Sequence, residues 1–183
     1  KLPTKNGNIE IADVYFRSNS KIILGQVKSS SIYDDDKFGG TIDTLYKNDR
    51  NSFFEKFGVN QLVKSIEILE EHMINIDPKF PKGHVYTIYP CIFLNDKALQ
   101  TPLMADTFNA RFQELIVDLK TNKVNIKPLT LIHINDLEKL ENYLNKKPKE
   151  IWELFRFNQR DKHLIPPISV SYTNIKQPTN DLE

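Results

Sequence analysis
The chain has 183 residues, with 25 Lys plus Arg against 24 Asp plus Glu and a formal net charge of +1. That length suits one domain with a sizeable core, and the balanced charge excludes a uniformly basic nucleic-acid-binding surface, leaving only a local patch for that purpose. A single cysteine, Cys91, excludes an internal disulfide and a cysteine-rich zinc site, no apolar run reaches the roughly 20 residues of a membrane helix, and the opening KLPTKNGN lacks the apolar stretch of a signal peptide. The expected location is cytoplasmic, with no membrane partner.

Positions 9–16, IEIADVYF, read as a strand rich in Ile, Val, Tyr and Phe, with Asp13 inside the run IADVYF. A polar turn, RSNSK, leads to a second strand over 21–29, whose IILG suits a central strand covered on both faces. Residues 30–49 form a long polar connection containing Gly39-Gly40, expected to be more mobile than the strands and able to close over a substrate. Helix is expected over 50–73, broken at Gly58, with Leu62, Ile66, Leu69 and Met73 at helical spacing. A strand follows over 84–94, where Pro90 implies a bulge or a sheet edge. Next come a helix over 106–119 capped by Asp106 or Thr107, a strand over 125–134, and a helix capped by Asn135 or Asp136 that runs to Leu144. Pro148 starts a last helix, and 168–172 reads as a short strand before a Pro/Asn-rich tail.

Alternate residues of a strand share a face, so Gln26 and Lys28 emerge together while Val27 points away. If the first two strands form a hairpin, Asp13 lies near them. A carboxylate, an amide oxygen and an ammonium on one face could hold a divalent metal and a phosphate. This Asp with Gln-x-Lys resembles the PD-(D/E)xK nuclease superfamily, in the Mrr-type branch whose second acid is Gln. Ala12 stands where the family often has Pro, and Gln26 removes one charge from the metal site. The order of elements extends the resemblance over residues 9–140. A helix and a strand that normally precede the Asp strand are not in this sequence, so the chain is expected to be a fragment of a longer protein.

The resemblance implies a restriction-endonuclease-like α/β fold, a mixed β-sheet flanked by helices. It implies Mg²⁺ or Mn²⁺ held by Asp13, Gln26 and the Val27 carbonyl, with Lys28 orienting the water and stabilising developing charge. Gln61 resembles the Gln that Mrr-like relatives place beside the active site, and Lys64, within one turn of it, could touch phosphate. A solvated helix-surface Gln is an equal alternative. The implied partner is nucleic acid, DNA in particular, in a homodimer or a larger multidomain assembly.

Other candidates have plainer readings. Glu10 falls on the face opposite Asp13 and reads as exposed. Asp34, Asp35 and Asp36 lack the spacing and Gly of a calcium loop and read as solvated. His72, His84, His133 and His163 form no HxxxH or HExxH pair and read as structural. Lys146, Lys147, Lys149, Arg156, Arg160 and Lys162 make the C-terminal helix basic, but Ile151, Trp152, Leu154 and Phe155 favour packing over nucleic-acid tracking. The expected organisation is a nuclease domain over 1–145, with a C-terminal helix and tail over 146–183 packed on it. The expected function is a metal-dependent endonuclease in restriction, defence or repair. The rivals are an RNase on the same scaffold and a catalytically inactive nuclease-like fold that binds nucleic acid or protein.

Overall fold
The computed structural model describes residues 2–4, 7–29, 50–81, 83–117, 119, 124–160, 168, 170 and 171. The anticipated mobile connection over 30–49, Asp34–Asp36 included, lies outside them, as do His163 and Lys162. The strands are β1 (Leu2–Thr4), β2 (Gly7–Ile9), β3 (Val14–Ser18), β4 (Lys21–Lys28), β5 (Tyr86–Leu94), β6 (Val124–Ile126) and β7 (Thr130–His133). The α-helices are α1 (Arg50–Lys56), α2 (Val59–Ile76), α3 (Pro102–Ile116), α4 (Ile134–Lys146) and α5 (Ile151–Asn158).

β1 and β2 pair with each other, and the other five strands form one mixed sheet. β3 and β4 are an antiparallel hairpin, whereas β4 and β5 run parallel from Lys21 opposite Thr87 to Lys28 opposite Leu94. A parallel pair needs a long crossover, and α1 and α2 lie within it. β4 and β5 are apolar on both faces, as strands covered on both sides must be. Ile22, Leu24, Ile88, Ile92 and Leu94 face one core with Phe54, Phe57, Leu62, Ile66 and Phe108. Ile23, Tyr89, Cys91 and Phe93 face a second core with Leu140, Trp152, Leu154 and Phe155. The protein is therefore an α/β structure with helices on both sides of a five-stranded mixed sheet. Even-numbered residues of β4 look toward the α1–α3 layer, which fixes where Gln26 and Lys28 point.

The strand expected over 125–134 is in fact two, and Pro90 is the reason. Ile88 O accepts from Lys127 N at 2.9 Å, so the amide groups of Ile88 face β6. Pro90, two residues on, faces the same neighbour with no N–H to offer. β6 leaves β5 after Ile126, opposite Ile88, and β7 rejoins at Thr130, opposite Cys91. Three residues on the outer strand thus span two on β5. The proline does produce a bulge, but in a central strand and on its partner.

Other boundaries also differ. The first strand begins at Val14 rather than at residue 9, because Ile9 pairs with Leu2 and Asp13 turns its side chain onto the β4 backbone. The helix expected from Asp106 starts at Pro102: Thr101 Oγ1 accepts from Met104 N at 3.2 Å, and proline is at home in a first turn. His133, not Asn135 or Asp136, caps α4, its Nδ1 accepting from Asn135 N at 3.1 Å. Ile168, Val170 and Ser171, expected as strand, are helical. The break at Gly58 is where it was expected, with φ of 80° separating α1 from α2.

Candidate active site
The C-terminal end of β4 carries a Gln and a Lys on the face toward α2. Gln26 is wholly buried. Its Nε2 donates to Ser65 Oγ at 3.2 Å, one α-helical turn beyond Gln61. The single Ser65 hydroxyl proton is within reach of the Ile11 carbonyl and of Gln61 O at 2.7 Å. Because that proton goes to a carbonyl, Ser65 offers Gln26 a lone pair, and the Gln26 amide must present its NH₂. Gln26 Oε1 is then left buried without a hydrogen-bond partner among the described residues.

Lys28 lies across the start of α2. Its Nζ donates to Gln61 Oε1 at 2.6 Å. A Cβ on Gly58 would stand 2.4 Å from Lys28 Cε and 3.6 Å from Gln26 Cβ. Gly58 therefore has two reasons to be glycine: its left-handed backbone and the passage of Lys28 over it. Gly58, the N-cap of α2, offers no side-chain cap, and Lys28 Nζ would stand 3.3 Å from a Cβ there, so the lysine passes close to the helix start. An uncapped helix start with an adjoining cation is an environment that favours an anion.

Asp13 precedes the first paired residue of β3, Val14, and is exposed. Its Oδ2 accepts from Val27 N at 2.7 Å, which ties the start of β3 to the C-terminal end of β4. The Val27 side chain is exposed, on the sheet face away from α2. Asp13, Gln26, Val27, Lys28 and Gln61 thus belong to one neighbourhood where β3, β4 and α2 meet. Lys64 is exposed on α2 and makes no hydrogen bond or ion pair with the described residues, and Glu10 is likewise exposed. Ser65 was not among the expected site residues, and Gly58 was expected only to break the helix.

Asp13 is the one carboxylate in this set. Among the described residues no three His, Cys, Asp or Glu side chains gather into a metal-holding group. His133 is held within the fold: it accepts at Nδ1, so its Nε2 carries the proton and donates to Asn95 O at 3.0 Å. No described helix is long and apolar enough to cross a membrane. No family model, no curated protein and no solved structure matches the chain.

Proposed function
We propose that the chain is a metal-dependent endonuclease domain of the PD-(D/E)xK type, hydrolysing DNA phosphodiester bonds in a restriction, defence or repair system. The observation that carries this reading is Gln26 Oε1, a buried acceptor without a hydrogen-bond partner among the described residues, two positions before Lys28 on the same strand face. An unsatisfied buried acceptor costs about 1–3 kcal/mol, and a cation is a partner that would remove the penalty. A hard divalent ion prefers oxygen, and Asp13, Gln26 and the Val27 carbonyl are oxygen donors that fit it. Mg²⁺ or Mn²⁺ held there would neutralise phosphate charge and acidify a water. Lys28, held by Gln61 above Gly58, would donate to the phosphate as negative charge develops. The uncapped start of α2 adds backbone N–H groups of the same sense. The hairpin, the helical crossover and the parallel strand after it also follow the order the resemblance implies.

A second reading has its own support. One carboxylate is a weak donor set for a divalent ion, and Asp13 already accepts from Val27 N. A catalytically inactive nuclease-like fold that binds nucleic acid or protein would need nothing more. Plasmid nicking in Mg²⁺ or Mn²⁺ separates the two. The endonuclease reading expects cleavage that Lys28→Ala reduces by about 10²–10³ with the fold intact. Cleavage absent on DNA and RNA alike, with nucleic-acid or protein binding retained, would favour the binding module.

A further inference from the structure
Two residues of α2 match the two β4 residues of the candidate site. Lys28 meets Gln61, and Gln26 meets Ser65. Two residues of strand advance about 6.6 Å and four residues of helix about 6 Å, so both contacts form at once between elements that run in opposite senses. Gln61 holds the lysine, and Ser65 holds the glutamine. The glutamine is the group that needs orienting. An amide has an NH₂ that donates and an oxygen that accepts, and a half-turn about its last side-chain bond exchanges them. A carboxylate has two like oxygens and nothing to exchange.

Ser65 fixes which end goes where. It is buried, as is Gln26, so water does not compete for either. The one hydroxyl proton of Ser65 has two acceptors within reach. One is the Ile11 carbonyl, between β2 and β3, and the other is Gln61 O, one turn back on α2 at 2.7 Å. Whichever accepts it, no proton remains for Gln26. Ser65 Oγ keeps a lone pair, and Gln26 Nε2 donates to it at 3.2 Å. Oε1 in that place would set two acceptors against each other away from water, which is costly. Oε1 is therefore turned from Ser65, and it is the buried oxygen with no partner among the described residues.

We propose that Ser65 is a positioning residue, whose hydroxyl fixes the Gln26 amide so that its oxygen, and not its NH₂, is offered to a bound cation. This rests on the reading that the end of β4 holds a divalent ion. Turned the other way, Gln26 would present N–H groups to the ion and repel it. The test uses the whole chain and begins without metal. The Gln26 side-chain NH₂ protons, identified in a proton–nitrogen spectrum by their loss in Gln26→Glu, are expected to show a nuclear Overhauser effect to the Ser65 Hβ protons. Mn²⁺ affinity is then compared in wild type, Ser65→Ala, Gln26→Glu and the double variant. Ser65→Ala is expected to weaken binding about fivefold, the worth of one neutral hydrogen bond. In the Gln26→Glu background it should cost less than twofold, because a carboxylate has no orientation to lose. Absence of the Overhauser effect, Mn²⁺ binding untouched by Ser65→Ala, or an equal loss in both backgrounds would each overturn the proposal. The Overhauser effect in a wild type that binds no Mn²⁺ would uphold the Ser65 orientation and overturn the metal reading instead.

Discussion

At the residue scale, Gly58 ties backbone geometry to chemistry. Its φ of 80° disfavours any side chain, and an added methyl would collide with Lys28 Cε at 2.4 Å. Gly58→Ala is expected to destabilise the fold by about 1–3 kcal/mol, read from denaturant midpoints. It should also reduce cleavage more than its stability loss explains, because Lys28 must move off Gln61. A variant with normal cleavage per folded molecule would show that the Lys28 position is immaterial. Gln26 and Lys28 could be picked out from types and spacing, since strand alternation places them on one face, whereas Gln61 was suggested only by the family resemblance. Ser65 could not, because a helix-surface serine has no signature until its neighbours across the sheet are known.

At the scale of elements, β3 is clamped to the end of α2. Arg17 Nε lies 2.5 Å from Asp77 Oδ2, and Tyr15 OH donates to the same oxygen at 3.0 Å. Burial pushes the Asp77 carboxyl up, but the hydrogen bonds from Arg17 and Tyr15 and the Arg17 charge outweigh it and hold the carboxyl below its ordinary value. A depressed native value means stability that is complete above the unfolded value of about 4 and is lost as pH falls through the native one. The stability gap between wild type and Asp77→Asn should therefore be flat from pH 5 to 7 and shrink below about pH 4. A gap independent of pH down to pH 2 would remove the ionic role. Element boundaries were the least legible part of the sequence. Thr101-Pro102 was a readable helix start that lay before the first strongly periodic residues. The break between β6 and β7 was not readable locally, because its cause, Pro90, lies on another strand.

At the scale of the whole molecule, the apolar residues of β4 and β5 alternate between two cores, and this made the covered sheet legible from sequence. Cys91 lies at the centre of β5 with no exposure, and burial pushes its thiol up. It should resist aromatic disulfide reagents in the native state and react at the rate of unfolding, so fast native labelling would contradict a closed second core. The α5 residues Trp152, Leu154 and Phe155 close that core, and the described basic residues of the segment, Lys146, Lys147, Lys149, Arg156 and Arg160, are exposed.

We propose that the end of β4 holds a divalent ion through Asp13 and Gln26. Mn²⁺ titration followed by electron paramagnetic resonance tests it directly, with wild type, Asp13→Asn and Gln26→Glu side by side. One Mn²⁺ per wild-type chain is expected, with at least tenfold weaker binding by Asp13→Asn. Tighter binding is expected of Gln26→Glu, whose buried carboxylate destabilises the metal-free fold and is rescued by the ion. Absence of stoichiometric Mn²⁺ in the wild type, or binding that neither substitution alters, would contradict it.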